Sequence, residues 1–290
     1  MTQSDARKLD HLVLPVSSLA TARERLSALG FTVAPDGHHP FGTSNCCVFL
    51  SDGTFLEPLV VADPVIADEA IKAGNVFVAQ DRNFRQLAGD DGFSAIVLLS
   101  DDANADQAAF EADGISAGPM LEFTRPFVDA SGKSDQATFR LAFAAEELTD
   151  ETFFFTCQRI RAPAVDRSAL QQHANGVMRI DRIILSSSAP EEHVSFLTAL
   201  LGVEPFETSA DVVFYALPNA EIAVLGEEPD EADLSLDAQM LAKAVKFQCA
   251  DTQKLAKLLE ANHIEHDLAD GRVIVPPAPG QGAFFIFESE

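Results

Sequence analysis

The chain has 290 residues, 47% of them apolar, and carries 20 Lys plus Arg against 45 Asp plus Glu for a net charge of −25. That length suits about two domains with real cores, and the charge argues against nucleic-acid and membrane-surface partners by repelling phosphate backbones and anionic lipid. A polar start, Met1 to Asp10, and the lack of any long apolar run point to the cytoplasm. Cys46, Cys47, Cys157 and Cys249 include an adjacent pair but no C-x-x-C spacing, so they read as buried thiols, not a disulfide framework or zinc knuckle.

Apolar periodicity divides the chain into four units of strand, helix and further strands. In the first, Leu9 to Val16 reads as a strand. Ser18 to Leu29 reads as a helix with Leu19, Ala22, Leu26 and Leu29 on one face, closed by Gly30. Phe31 to Ala34 is expected to open the next strand, followed by half-buried strands at Asn45 to Leu50 and Thr54 to Val61. Residues 63–92 look helical and charged and connect to a second unit. That unit has a strand at Phe93 to Leu99, a helix at Ala103 to Asp113, and a hairpin of Met120 to Phe127 and Ala137 to Ala144 around the turn Asp129 to Lys133. Thr152 to Gln158 closes it. The Pro- and charge-bearing stretch 161–176 is expected to be a linker. A third unit covers 177–225, and an acidic stretch then separates it from a fourth at 238–290. The fourth holds a helix at Thr252 to Ala261 and strands at Arg272 to Val275 and Ala283 to Phe287.

The first and third units repeat one motif. Leu9-Asp10-His11-Leu12-Val13 before a helix ending Leu29-Gly30-Phe31 matches Ile180-Asp181-Arg182-Ile183-Ile184 before one ending Leu201-Gly202-Val203. His11 falls on Arg182. Histidine can ligate a metal and arginine cannot, so chemistry is expected in the first half. Four units in two pairs suggest an α+β chain whose curved sheets enclose a cleft.

These residues resemble the vicinal oxygen chelate superfamily (the glyoxalase/bleomycin resistance/dioxygenase group), and within it the glyoxalase-like domain proteins. His39-Pro40-Phe41-Gly42-Thr43-Ser44-Asn45, Phe55-Leu56-Glu57-Pro58-Leu59, Phe154-Phe155-Thr156-Cys157-Gln158 and His173-Ala174-Asn175-Gly176 carry the resemblance further. It implies two vicinal-oxygen-chelate domains, each a pair of βαβββ modules forming facing curved sheets around a cleft. The N-terminal one would span 1–160 (modules 1–62 and 93–160), and a degenerate C-terminal one 177–290. It also implies a divalent metal, with His11 and Glu57 as ligands and Gln158, or Thr156 on the same face, opposite them. Ser94 would stand at the second module's first-strand position. In the second half Arg182 would pair with Glu221, matched to Glu57, in place of an ion. Ala244 and Ile286 fall at the remaining places.

Each candidate has a plainer reading. His11 in an apolar strand can be a hydrogen-bonded core residue, but an inward Glu57 is costly without a partner. If both face one cleft, a metal or a polar substrate supplies it. Glu57 is also the candidate general base. His39, Thr43 and Asn45 are turn residues or substrate contacts, with His38 a solvated neighbour. Arg125 and Arg140 are surface ion pairs or a clamp for a carboxylate or phosphate. His173 and Asn175 are expected to lock the halves together. No nucleotide fingerprint or nucleophile–histidine–acid order is present. The expected function is isomerase- or lyase-type chemistry on a carbonyl or vicinal-oxygen substrate, dioxygenase chemistry being less favoured for want of a complete ligand set. The alternative is a binding protein that sequesters a small molecule. A homodimer is compatible with either.

Overall fold

The computed structural model describes residues 6–128, 134–146, 152–163, 166–226 and 240–289. The expected turn at 129–133 and most of the acidic stretch before the fourth unit lie outside them. The N-terminal half contains β1 (Leu9–Pro15), α1 (Leu19–Ala28), β2 (Gly37–His38), β3 (Thr43–Asn45), β4 (Val48–Phe49) and β5 (Phe55–Val61). Two connecting helices follow, α2 (Pro64–Lys72) and α3 (Val76–Leu87). Then come β6 (Ala95–Ser100), α4 (Ala103–Ala112), β7 (Leu121–Val128), β8 (Ser134–Ala144) and β9 (Phe153–Arg161). The C-terminal half contains β10 (Val177–Ser187), α5 (Val194–Leu201), β11 (Glu207–Thr208), β12 (Val212–Ala216), β13 (Glu221–Gly226) and β14 (Leu241–Cys249). It ends with α6 (Thr252–Ala261), β15 (Asp267–Ala269), β16 (Arg272–Val275) and β17 (Phe284–Glu288).

These strands form two sheets of matching plan. The first runs β2-β3-β5-β1-β6-β9-β8-β7 with β4 on β5, and the second β11-β12-β13-β10-β14-β17-β16-β15. In each, the two modules join through an antiparallel central pair, β1 with β6 and β10 with β14. Within a module the first and last strands are parallel. This is the α+β architecture of two vicinal-oxygen-chelate units. The first sheet curls until its ends meet: Phe41, before β3, packs edge-on to Phe123 of β7 with ring centroids 5.1 Å apart.

Side chains alternate across each strand, so β1 serves two cores. Leu12 and Leu14 join one apolar cluster with Leu26 of α1, Phe110 of α4, Leu197 of α5, Leu255 of α6 and Ile183 of β10, which fuses the two halves. Val13 faces the other way, with Leu59, Val97 and Phe155 and with Phe77 and Val78 of α3. The concave side of the first sheet is therefore roofed by α3, and the functional side chains lie under that roof.

The expected strand at Phe31 to Ala34 does not form. Arg23 donates to the carbonyls of Val33 and Ala34 (3.1 and 2.9 Å), which removes acceptors that a ladder would need. Phe31 turns into the joint between the sheets, 5.7 Å from Phe247 by ring centroids. The stretch before β10 completes that joint. His173 Nδ1 accepts from the Thr32 amide at 3.0 Å, and Nε2 donates to the Phe49 carbonyl at 2.9 Å. Asn175 donates to the Leu29 carbonyl at 3.0 Å. Gly30 is required here, because its φ is +86° and a Cβ would lie 2.9 Å from the Asn175 nitrogen. Buried His193 adds a further tie, meeting Ser187 Oγ at 2.8 Å and Glu146 at 2.6 Å.

Candidate functional site

A bulge in β1 builds the centre of the site. Leu9 pairs with Leu98 and His11 with Val97, which leaves Asp10 as an extra residue. Such a bulge re-aims side chains, and here Asp10 and His11 both line one cavity. His11 Nδ1 lies 2.8 Å from Asp10 Oδ2, and His11 Nε2 lies 3.2 Å from Glu57 Oε2. Arg159 of β9 donates to the other Asp10 oxygen at 2.6 Å. Asn45 donates to Glu57 Oε1 at 2.5 Å. The result is a row, Arg159–Asp10–His11–Glu57–Asn45, buried from Asp10 onward and half-buried at Arg159, in which charges alternate from Arg159 to Glu57. Phe55 stacks on the His11 ring at 4.3 Å and holds its plane.

The row's electrostatics follow from this pairing. Burial opposes the charge on Glu57, but the bonds from His11 and Asn45, with the fields of His11 and His39, hold its carboxyl down to about 2. Asp10 is likewise lowered despite burial, by His11 and Arg159. Burial alone would drive the proton off His11, yet the flanking carboxylates raise its pKa above the ordinary histidine value. His39 behaves oppositely. Its burial dominates and pushes it down to about 4, so it is neutral near pH 7. Its Nδ1 meets Thr43 Oγ1 at 2.8 Å, and its Nε2 sits 3.7 Å from Glu57 Oε1.

The cavity in front of the row has a volume of about 80 Å³. Its walls are aromatic, with Phe41, Phe49, Phe77, Phe123, Phe139 and Phe155 all lining it. Two further guanidiniums, Arg125 of β7 and Arg167 before β10, also line it. Cys47 and Cys157 reach the same wall, but burial raises both thiols well above the usual range, so neither is a ready nucleophile. All four cysteines are free and buried.

The expected residues divide accordingly. His11, Glu57, His39, Asn45 and Arg125 are brought together around the cavity. Thr43 stands one step back, orienting His39. Arg140 points away and pairs with Glu122 at 2.5 Å on the open side of the hairpin. Gln158 is also misplaced as a ligand. On β9 it is Phe155, Cys157 and Arg159 that face the cavity. Gln158 faces α4 instead, accepting from the Ala103 amide at 3.1 Å and donating to the Asp101 carbonyl at 2.6 Å. Thr156 shares its side of the strand, and the buried hydroxyl there has no hydrogen-bond partner among the described residues. Three residues were not anticipated as contributors: Asp10, Arg159 and Arg167. The Asp-His dipeptide and the alternation Phe155-Cys157-Arg159 carried signals for the first two; Arg167 carried none.

Strand register tests the site for a divalent ion. His11 lies beside Phe55, and Glu57 two residues on lies beside Val13. The same places in the second module are Ala95, beside Phe153, and Phe155, beside Val97. Ser94 is thus not the counterpart of His11. Half of the implied ligand set is apolar, and both nitrogens of His11 face carboxylates. Among the described residues no group of three or more His, Cys, Asp and Glu side chains is placed to hold an ion. The donors present do not fit the ion that the resemblance implies.

The C-terminal sheet carries the same bulge, with Asp181 as its extra residue. Arg182 donates to Glu221 at 2.8 and 2.5 Å, the ion pair expected there. Glu221 lies directly beside Arg182, however, so by register it replaces Phe55, and Ala223 takes the place of Glu57. Both partners are about one-third exposed.

Among the described residues no helix is long and apolar enough to cross a membrane. A comparison with curated proteins finds no match. Among solved structures, a hypothetical protein from Staphylococcus aureus superposes with a TM-score of 0.71 at 16% identity, covering 98% of this chain and 100% of that one. A mutant 4-hydroxymandelate synthase from Streptomyces coelicolor gives 0.59 at 11% identity, covering 98% and 93%. A xylose isomerase-like TIM barrel/4-hydroxyphenylpyruvate dioxygenase fusion protein gives 0.56 at 15% identity, covering 98% of this chain and 50% of that one. At such identities the likeness is one of fold. The model of the glyoxalase-like domain matches residues 9–201, two-thirds of the sequence and all of the cavity's residues, and the chain therefore belongs to the glyoxalase-like domain family.

Proposed function

We propose that the N-terminal cavity binds a small carbonyl compound and moves a proton next to that carbonyl, isomerase- or lyase-type chemistry carried out by His11 and Glu57. The supporting observation is the buried Asp10–His11–Glu57 row opening onto an aromatic-walled cavity. Asp10, itself held by Arg159, anchors His11 through Nδ1 and leaves the Nε2 proton for the substrate. A carbonyl oxygen that accepts from Nε2 draws that proton away from Glu57. Glu57 then loses the partner that most strongly holds its pKa down and becomes a stronger base beside the substrate. His11 meanwhile stabilises the negative charge that develops on the oxygen. Asn45 keeps the Glu57 carboxylate aimed. The reading assigns no step to a divalent ion, for the donor chemistry given above.

The test is hydrogen exchange. Carbonyl compounds that shift the His11 and His39 ring signals in NMR spectra are incubated with the protein in deuterated water. Exchange at the carbon next to the carbonyl is expected, and Glu57→Gln should slow it by about a hundredfold or more. If compounds bind but no exchange occurs with any of them, the catalytic reading fails and the alternative of a sequestering protein stands. Metal analysis is expected to give far less than one equivalent. A tightly held stoichiometric ion whose removal abolishes binding would restore the metalloenzyme reading.

A further inference from the structure

We infer that Arg125 and Arg167 form a receptor for one carboxylate, so that the ligand of this cavity is a small monoanionic aromatic acid. The inference rests on the N-terminal cavity being the functional site.

The starting point is charge. Acidic side chains outnumber basic ones 45 to 20 in this chain, so partners for a guanidinium are plentiful. Most arginines have one: Arg7 holds Asp106, Arg23 Asp36, Arg140 Glu122 and Arg182 Glu221. Arg125 and Arg167 hold none among the described residues, and both line the same cavity. Arg159 adds a third guanidinium nearby, already committed to Asp10. Three guanidiniums face two carboxylates, Asp10 and Glu57, before any histidine is counted. The cavity therefore holds a surplus of positive charge inside a strongly acidic protein. That is the inverse of the surface and a natural trap for an anion.

Geometry fixes where the anion goes. Each unpaired guanidinium sits over an aromatic ring of the cavity wall, Arg125 over Phe139 at 5.6 Å and Arg167 over Phe49 at 4.5 Å. Such stacking orients the planar fork while leaving its N–H donors for a ligand. Gly37 makes room for one of them, since a Cβ there would run into the terminal nitrogen of Arg125. Burial and the repulsion of Arg159 and Arg125 weaken the hold of Arg167 on its proton, a tension that an anion between them relieves.

Chemistry narrows the class. The remaining wall is phenylalanine, which suits a flat apolar body. In so apolar a site a singly charged, planar carboxylate is cheaper to desolvate than a dianionic phosphate and matches the guanidinium fork. With the acid group at the arginines, the rest of the molecule extends toward His11 and Glu57.

The experiment titrates the intact protein by calorimetry with phenylacetate, phenylacetamide, benzoate, benzamide and phenyl phosphate, while NMR follows the His11 and His39 ring signals. Each carboxylate is expected to bind at least about tenfold tighter than its amide, from the charge-assisted hydrogen bonds. Arg125→Met and Arg167→Met should each erase that preference, bringing carboxylate affinity down to that of the amide, with circular dichroism and urea midpoints near the wild-type values showing that the variants are folded. Equal binding of acid and amide with movement of the histidine signals overturns the carboxylate receptor and leaves the cavity assignment intact. Binding that leaves those signals unmoved overturns the cavity assignment itself. Tighter binding of phenyl phosphate than of phenylacetate, or no binding of any probe, overturns the monoanionic class.

Discussion

Replacing Glu57 by Gln tests the electrostatic account most directly. The side chain keeps its size and can still accept from Asn45, but His11 loses one of its two counter-charges. In the folded protein the Glu57 pKa falls from 4.5 to about 2. That difference corresponds to about 3 kcal/mol of stability at neutral pH, similar to the cost of breaking one partner out of a buried pair. Because the folded value is the lower one, this stability is complete above pH 4.5 and is lost as pH falls toward 2. At pH 3.5 about 1.4 kcal/mol of it should already be gone. The assay is urea unfolding of both proteins at pH 7 and pH 3.5. Circular dichroism is the probe, since the chain has no Trp and one Tyr. Glu57→Gln should be less stable by about 3 kcal/mol at pH 7, and the gap should narrow by about 1.4 kcal/mol at pH 3.5. A gap that is absent at pH 7, or unchanged between the two pH values, would refute the pairing of Glu57 with a charged His11.

Three further outcomes follow from the same geometry. Arg182→Met should cost only about 0–1 kcal/mol in the same melts, because the Arg182–Glu221 pair is half-open to water. A loss comparable to that of Glu57→Gln would mean that the C-terminal pair is as critical as the N-terminal row. Gly30→Ala should destabilise by about 2 kcal/mol or more, through its positive φ and the clash with Asn175; an unchanged urea midpoint would count against the joint between the sheets. NMR titration should show His39 neutral throughout pH 5–8 and protonating near 4, while His11 titrates above the ordinary 6.5. The stability that His11 contributes is complete below 6.5 and declines as pH rises through its raised folded value. A His11 signal that titrates below 6.5 would contradict the carboxylates on either side of it.

The elements of this fold were legible because local rules set them. The helix at Ser18 to Leu29 has its apolar stripe, its N-cap Ser18 and its closing Gly30, and α1 spans Leu19–Ala28. The helix anticipated at Thr252 to Ala261 is α6, capped by Asp251. The repeat of Asp10-His11 before α1 and Asp181-Arg182 before α5 disclosed two copies of one plan, and each copy carries the same bulge. His11 and Glu57 were legible for a related reason: a charged group in an apolar strand demands a partner wherever it faces.

What the sequence could not determine was which way the other side chains face and what they meet there. Strand alternation reverses with a one-residue change of alignment, so matching Ser94 and Gln158 to the first module put them on the wrong face, and by register Ala95 and Phe155 take those places. Along the chain Arg159 shows no partner; in the fold it pairs with Asp10, which in turn holds His11. Arg140 and Arg125 look alike on one hairpin, yet a facing Glu122 neutralises the first, while the curl of the sheet turns the second into the cavity. Local propensity and periodicity therefore determined the four repeated units, and the resemblance they carry pointed to the two-unit fold and to His11 with Glu57. Only strand register and the closing of the first sheet decided that the pair meets arginines and phenylalanines instead of a third metal ligand, because those contacts join residues far apart in the chain, Asp10 and Arg159 being separated by 149 positions.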